Sequence, residues 1–243
     1  MRTPRVYSPQ NLTVGDCIQL EEGAARHLTS ALRMTTGQSV IVFNGKGGEY
    51  NGELVAAKKG SATLRITEFK DIDRESPLSI HLAIGISRGE RMDWIMQKAT
   101  ELGVTQITPL FTERCEVKLS GDRLHKKVRH WQQVAISACE QSQRNRVPQV
   151  NNPVALEQWQ QACEASLKLV LYHRTEKSLS DICQPSGEIV LLIGPEGGLS
   201  EREIERAILL DFLPTAIGPR VLRTETAPLA AISILQTRWG DMC

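Results

Sequence analysis

The stretch Val190–Ser200, VLLIGPEGGLS, and the stretch Ala216–Ala227, AIGPRVLRTETA, follow one design. In each, an apolar run stops at the tripeptide Ile-Gly-Pro, first at residues 193–195 and again at 217–219. An apolar run that ends in glycine and proline is typical of a buried strand that breaks into a loop. In α/β proteins, ligands bind just outside the carboxyl ends of such strands. The repeated pattern therefore predicts two loops that form the two walls of one pocket.

Strand-like and helix-like segments alternate around these two loops. The segment 90–103 has apolar residues at helical spacing and a glycine placed to end the helix. Ser200-Glu201-Arg202-Glu203 is a capping box that begins another helix. Alternation of this kind predicts an α/β fold with a parallel sheet flanked by helices. The expected strands are 78–86, 105–111, 167–173, 188–194 and 213–218, and the other expected helices are 122–142 and 228–239.

The chain before Pro77 has a different pattern of apolar and polar residues. Three short segments, 39–43, 49–57 and 61–69, alternate apolar with polar residues and are separated by glycine and polar turns. One amphipathic segment, 21–34, interrupts them, and the polar run FKDIDRESP at 69–77 resembles a linker. The sequence thus predicts two domains, a small β-barrel over 1–71 and an α/β domain over 72–243.

Composition limits the classes of function. The 243 residues are 41% hydrophobic and 23% charged, as in ordinary globular proteins, and the net charge of +1 gives no global attraction for nucleic acid. Apolar runs as short as 189–193 cannot span a bilayer, and residues 1–10 lack the apolar core of a secretory signal. We therefore expect a cytoplasmic protein with no membrane partner. The six cysteines form no C-x-x-C pair, so neither a metal site nor a disulfide framework is expected.

The loop Gly194–Ser200 does not fit the common phosphate-binding motifs. It lacks the lysine of a Walker loop, and GPEGG does not supply G-x-G-x-x-G. Glu196 would repel phosphate, whereas a carboxylate beside glycines and apolar walls suits an uncharged ring next to a cationic centre. For either loop taken alone, the alternative is a Gly-Pro pair that only turns the chain.

Taken together, LLIGPEGGLSEREI and IGPRVLRTETAPLAAI resemble the cofactor-binding signature of the SPOUT methyltransferases, and in particular of the RsmE family. MRTPRVY at the start, residues 88–119 and ACEQSQRNRVPQV at 138–150 also resemble segments of that family, so the resemblance covers nearly the whole chain. It implies an enzyme that uses S-adenosylmethionine (SAM) to methylate N3 of a uridine in small-subunit (16S) ribosomal RNA. It further implies a deep trefoil knot in the C-terminal domain, a PUA-like RNA-binding β-barrel at the N-terminus, and a homodimer.

The resemblance also implies the residues of the cofactor site, because the two loops of the knot would grip SAM between them. His173 has an equal alternative as a solvated histidine at the end of a strand. The implied cofactor-binding residues are Leu171, His173, Leu192, Ile193, Gly194, Pro195, Glu196, Gly197, Gly198, Ile217, Gly218, Leu222, Arg223, Thr224, Thr226 and Ala227.

Methylation at uracil N3 requires that its proton be removed and that the resulting negative charge be stabilised. Arg220 and Arg223 are the candidates to stabilise the anion. Glu225 and Glu196 are the candidates to accept the proton or to orient the substrate. In the alternative interpretation, Arg223 and Glu225 form an ion pair that shapes the loop. No catalytic cysteine is needed, because the target atom is nitrogen.

The expected partner is 16S ribosomal RNA within the small ribosomal subunit. Residues 113–146 carry eight basic against four acidic side chains, an excess that suits backbone phosphates. Two other functions remain open: a ribose 2′-O-methyltransferase of the same fold that acts on ribosomal or transfer RNA, and a non-catalytic RNA-binding ribosome assembly factor. The predicted RNA-binding residues are Arg2, Arg5, Arg33, Arg88, Arg114, Lys118, Arg144 and Arg146.

Overall fold

The computed structural model describes residues 3–242, apart from the side chain of Ser180. The chain divides into two compact units. The N-terminal unit comprises Met1–Glu75 and Cys139–Val147, and the sheet unit comprises Ser76–Ala138 and Pro148–Cys243. The sequence predicts a division at residue 71, and the compact units differ from it chiefly in the segment Cys139–Val147, which joins the N-terminal unit.

The N-terminal unit is built on a five-stranded sheet of order β1-β3-β4-β5-β2. Strands β1 and β3 pair in parallel, and the other pairs are antiparallel. The amphipathic segment 21–34 contains a short helix, α1 (Glu22–Arg26), which continues into a π-helical turn, His27–Ala31. The strands are β1 (Arg5–Tyr7), β2 (Cys17–Gln19), β3 (Ser39–Phe43), β4 (Glu49–Lys58) and β5 (Ser61–Lys70).

Apolar and polar residues alternate along β5, and the apolar ones form part of the core of this unit, as the sequence predicts. Ala62, Leu64 and Ile66 are buried, whereas Arg65 between them is exposed, because successive side chains of a strand point to opposite faces. The buried residues pack with Val6, Leu28, Val40 and Leu54 in one apolar cluster.

The sheet unit contains seven strands, all paired in parallel, in the order β12-β10-β11-β6-β7-β8, with β9 beside β7. This confirms the α/β fold with a parallel sheet. The strands are β6 (Ile80–Gly85), β7 (Gln106–Phe111), β8 (Gln149–Val150), β9 (Val154–Ala155), β10 (Leu167–Leu171), β11 (Ile189–Ile193) and β12 (Leu213–Thr215). The helices are α2 (Glu90–Glu101), α3 (Gly121–Ser142), α4 (Leu156–Gln161), α5 (Glu201–Leu209) and α6 (Thr226–Trp239).

Apolar clusters cover both faces of the parallel sheet. Along β11, Ile189, Leu191 and Ile193 pack into one cluster, and Val190 and Leu192 pack into the other. All five residues are buried, which is why the strand reads as an unbroken apolar run rather than an alternating one.

Two strands that lead toward the cavity loops, β10 and β12, are shorter than the sequence indicates. β10 ends at Leu171 rather than at residue 173, and β12 ends at Thr215 rather than at 218. In both cases the last residues of the apolar run leave the sheet and enter a loop. The short elements β1, β2, β8, β9 and α4 have two to six residues each, and the sequence analysis predicts none of them.

Two further findings concern residues 3–242 as a whole. No helix in this range has both the length and the apolar character needed to cross a membrane. No group of three or more histidine, cysteine, aspartate or glutamate side chains in the same range is arranged to hold a metal ion.

Candidate active site

A cavity of about 640 Å³ lies in the sheet unit where the chain leaves β10, β11 and β12. Residues 171–174, 193–199 and 215–218 all line it, and so does the segment 220–225. The two Ile-Gly-Pro loops therefore face one cavity, as the repeated pattern predicts. Its place at the carboxyl ends of parallel strands is the usual position of a ligand site in this class of fold.

The first wall is a tight turn after β11. The Gly198 N–H donates to the Pro195 carbonyl oxygen at 2.8 Å, and Gly198 has a positive φ of 69°. A Cβ atom at Gly194 would lie 2.7 Å from the carbonyl carbon of Gly198, so the turn closes only with glycine there. The turn is followed by Ser200, which forms the predicted capping box with Glu203 at the start of α5.

The second wall is the segment between β12 and α6. Its start is held by the Ala216 N–H, which donates to the Lys177 carbonyl oxygen at 2.8 Å. Gly218 has a φ of 119°, a conformation that side chains other than glycine rarely adopt. The end is held by the Arg223 carbonyl oxygen, which accepts from the N–H groups of Thr226 and Ala227 at 2.9 Å each.

Three carboxylates line this cavity, those of Glu196, Glu201 and Glu225, and two of them have clearly different surroundings. Glu196 Oε1 accepts from the Arg88 N–H at 2.9 Å and from Arg91 Nη1 at 2.8 Å. Burial acts to raise the pKa of Glu196, but these hydrogen bonds outweigh it, and the pKa is lowered. Glu225 has looser partners, with Oε2 3.9 Å from Arg91 Nε and Oε1 4.0 Å from Arg223 Nη1.

Five arginines also line the cavity, so positive charge exceeds negative charge around it. Arg114 Nη1 donates to the Gly197 carbonyl oxygen at 3.0 Å, and Arg174 Nη1 lies 3.3 Å from Glu201 Oε1. Arg220 is exposed. Such a rim suits a ligand with negative charge, while the carboxylates inside suit a cationic centre.

Of the sixteen residues implied for cofactor binding, fourteen line the cavity. Leu192 does not, because its side chain is fully buried in an apolar cluster with Val190 and Phe212. Thr226 does not either, and it is the first residue of α6. The three candidate catalytic residues, Arg220, Arg223 and Glu225, line the cavity as well.

Several lining residues are absent from the set that the sequence analysis assigns to the site. Arg91 is the most informative, because the sequence carries a signal for it. It is the second residue of α2, where a cation opposes the helix dipole, so a functional or pairing role could have been inferred. The others are Tyr172, Arg174, Leu199, Glu201, Ile204, Thr215, Ala216 and Val221.

Two of the predicted RNA-binding arginines are buried within the N-terminal unit. Arg5 Nη1 lies 2.5 Å from Glu49 Oε2, and Arg144 Nη2 lies 2.5 Å from Glu75 Oε2. Arg5 also donates to the Asn145 side chain and the Arg144 carbonyl oxygen. Contrary to the prediction, neither guanidinium is available to a phosphate, because both are occupied inside the protein.

The other predicted RNA-binding residues are at the surface where the structure describes them. Arg33, Lys118 and Arg146 are exposed, and Arg88 is exposed but paired with Glu116 at 2.5 Å. Arg114 is exposed at the rim of the cavity. Arg2 lies outside the described residues.

Comparison with known proteins identifies both parts of the chain. A family model described as an RNA methyltransferase domain matches residues 74–236, and one described as an RNA methyltransferase PUA domain matches residues 20–67. A protein of Buchnera aphidicola subsp. Schizaphis graminum, named ribosomal RNA small subunit methyltransferase E, is 36% identical over 99% of this chain and 98% of its own length.

Two solved structures with bound SAM have the same fold over their full length. A methyltransferase of Legionella pneumophila shares 43% identity, with a TM-score of 0.96 over 99% of this chain and 100% of its own. The ribosomal RNA small subunit methyltransferase E of Neisseria gonorrhoeae shares 41% identity, with a TM-score of 0.94 over 100% of both chains. These relatives favour neither the ribose methyltransferase nor the non-catalytic assembly factor. The chain thus belongs to the ribosomal RNA small subunit methyltransferase E (RsmE) family and is an RNA methyltransferase with a PUA domain at its N-terminus.

Proposed function

We propose that this protein transfers a methyl group from SAM to N3 of a uridine in 16S ribosomal RNA. The observation that carries the proposal is the single cavity that brings together both glycine loops, exposed arginines and the carboxylate of Glu225. It provides a binding site for a cofactor and groups for the chemistry in one place. The membership in the RsmE family supports the choice of substrate.

The residues present fit SAM. A volume of about 640 Å³ lies in the range of small-molecule sites, roughly 300–1,000 Å³. Leu171, Ile193 and Ile217 offer apolar contact to an uncharged ring, and the glycine turn at 194–198 lets the backbone approach it closely. The implied cofactor-binding residues that line the cavity are our proposed SAM site, and bound SAM would supply an electrophilic methyl group.

The remaining chemistry falls to side chains of the second loop. The N3 proton must leave before or during attack, and Glu225 is the proposed acceptor, because its carboxylate has no hydrogen-bond donor closer than 3.9 Å among the described residues. Arg223, with 83% of its side chain exposed, is the proposed group that stabilises the negative charge on the ring. Arg220 is the second candidate for this role.

We also propose that the sheet unit is tied in the deep trefoil knot of the SPOUT fold. Residues 216–225 would thread through the loop 172–188. Three contacts support this path: Ala216 bridges in parallel to Ser178, β12 pairs with β10, and α6 packs on α2 and β11. After the edge strand β12, the chain therefore passes the loop that follows β10 and returns to the middle of the sheet.

For the RNA, we propose that the exposed basic residues Arg33, Arg88, Arg114, Lys118 and Arg146 contact backbone phosphates. Arg2 stays in the set as a prediction from the sequence. The enzyme would act as a homodimer in the cytoplasm, where ribosomal subunits are assembled.

The test is nucleoside mass spectrometry of 16S ribosomal RNA from a strain that lacks the gene. We expect loss of one N3-methyluridine, and its return when purified protein and SAM are added to small subunits from that strain. Unmethylated, fully processed subunits from that strain and the naked RNA should be tested side by side as substrates, to identify which form the protein methylates. An unchanged set of base methylations, or loss of a ribose methyl, would overturn the proposal.

A further inference from the structure

Arg91 occupies an unfavourable position for a cation. It is the second residue of α2, and the first turn of a helix carries partial positive charge, where acidic residues are stabilising and basic ones are not. Its neighbours Glu90 and Asp93 follow the normal preference. An arginine here therefore gains from a compensating interaction outside the helix.

The compensation comes from both walls of the active-site cavity. Arg91 Nη1 donates to Glu196 Oε1 at 2.8 Å, and Arg91 Nε lies 3.9 Å from Glu225 Oε2. Glu196 belongs to the loop after β11, and Glu225 belongs to the segment that enters α6. One guanidinium from a third element thus links the two loops that form the cavity, and these contacts keep the pKa of Arg91 raised, with the Glu196 hydrogen bond as the main cause.

The same contacts leave the carboxylates of Glu196 and Glu225 with different hydrogen bonding. Glu196 accepts hydrogen bonds from Arg91 and from the Arg88 N–H on one oxygen, so it is committed to the protein. Among the described residues, the Glu225 carboxylate has no hydrogen-bond partner, and its nearest cations are Arg91 of α2 at 3.9 Å and Arg223 of its own loop at 4.0 Å. Its carboxylate lone pairs therefore stay open to a proton of the substrate.

We propose that Arg91 is a positioning residue for methyl transfer, which holds the loop after β11 through its hydrogen bond to Glu196 and keeps its guanidinium beside Glu225 of the second loop. This inference rests on the proposed function, since it takes Glu225 as the proton acceptor. The planar fork of arginine is required, because two different nitrogens address the two carboxylates and the single ammonium of lysine addresses one.

The chain offers a matched control in Arg202. It is the second residue of α5, as Arg91 is the second residue of α2, and both follow a glutamate at the start of a helix. Arg202 is exposed and does not line the cavity. The change Arg202→Ala therefore removes the same charge from the same helical position without touching the site.

The experiment measures single-turnover methylation of small ribosomal subunits and calorimetric SAM affinity for Arg91→Ala, Arg91→Lys and Arg202→Ala. We expect Arg91→Ala to lower the rate by about 10², the cost of a misplacement near 1 Å, with SAM affinity changed less than about threefold. Arg91→Lys should recover part of the rate, and Arg202→Ala should match the wild type.

A structural role alone would give a different pattern. If Arg91→Ala loses SAM affinity in proportion to its rate, or if it behaves as Arg202→Ala does, the proposal is overturned. Identification of the methylated nucleoside in the wild-type reaction tests the proposed function separately from the proposal on Arg91. A methyl placed elsewhere would refute uridine N3 as the target, while the ratio of the Arg91 and Arg202 variants would still report on Arg91.

Discussion

Arg223 Nη1 lies 4.0 Å from Glu225 Oε1, at the outer limit of an ion pair, and the two side chains differ widely in exposure. Arg223 leaves 83% of its side chain exposed, whereas Glu225 leaves 20%. An ion pair of this length and exposure contributes little to the shape of a loop, typically below 1 kcal/mol. The alternative in which the pair merely shapes the loop is therefore the weaker one, and a substrate has open access to Arg223.

The first prediction follows from this geometry. Arg223→Ala should lower the rate of methyl transfer by about 10²–10³, the usual effect of removing one preorganised charge donor, with a much smaller loss of SAM affinity. Glu225→Gln should also be slow at neutral pH, and its rate should recover as the pH rises toward the ionisation of the uracil imide, since an ionised substrate needs no base. Single-turnover rates beside SAM titrations provide the measurement.

The double variant separates the two interpretations of this pair. If Arg223 and Glu225 only tie down the loop, each single change should abolish SAM binding and the double change should be no worse than either. Full activity of Glu225→Gln at neutral pH would instead assign the proton to water.

The second prediction concerns Gly218. An added Cβ there meets no protein atom within 4 Å, but the φ of 119° strains any other residue, and Gly218 lines the cavity. We expect Gly218→Val to abolish SAM binding and leave the N-terminal unit folded. Gly15 is the matched control, with a φ of 100° and equally open space, in the N-terminal unit. Unchanged SAM affinity of Gly218→Val in calorimetric titration would refute the pocket assignment.

The third prediction is a pH dependence of stability that is set by His81. Its ring is 7% exposed, shares a hydrogen bond with Thr108 Oγ1 at 2.7 Å, and packs edge-on against Trp159. Burial lowers the pKa of His81 from 6.5 to about 4, so between these values the unfolded chain binds a proton that the native protein does not. Stability therefore falls as the pH drops from 7, and by pH 5 His81 should have cost about 2 kcal/mol.

Urea unfolding at pH 7 and pH 5 measures this difference, and His81→Gln removes the titrating group. The unfolding free energy of the wild type should be lower at pH 5 than at pH 7, and most of this difference should be absent in the variant. An equal drop in both proteins would show that other groups carry the acid sensitivity.

The sequence predicts most lining residues of the two loops, and it misses Arg91, which a distant segment of the chain supplies. The loops 193–199 and 217–227 are marked by their own glycines and prolines, whose backbone demands are local. Arg91 becomes part of the site only because β6 and β11 are neighbours in the sheet. The burial of Arg5 and Arg144 also depends on distant partners, Glu49 and Glu75, so these arginines cannot be told from surface arginines by sequence alone.

The fourth prediction is a homodimer that buries part of α6. Pro228, Ala231, Ile232 and Leu235 are buried and Ile234 packs against the core, yet Leu229 and Ala230 remain only partly buried on the rest of the helix. An apolar helix surface beyond the core face indicates a second contact. Light scattering at micromolar concentration should give twice the mass of one chain, and Ala230→Arg should give monomers. A wild-type monomer would contradict the prediction.

The fifth prediction separates stability from RNA binding in the N-terminal unit, with Arg5 and Arg33 as the pair to compare. Arg5→Ala leaves the Glu49 carboxylate buried with Arg74, at 3.3 Å, as its remaining partner among the described residues, and removal of one member of a buried pair costs about 3–5 kcal/mol. Because Arg74 compensates in part, we expect a loss near the lower end of that range in urea unfolding. Arg33→Ala should leave stability unchanged, since its side chain is exposed, but should weaken RNA binding and reduce the dependence of log affinity on log salt by about one. If Arg5→Ala instead unfolds as the wild type does and shows the reduced salt dependence, the buried pair opens in solution and Arg5 belongs to the RNA-binding surface after all.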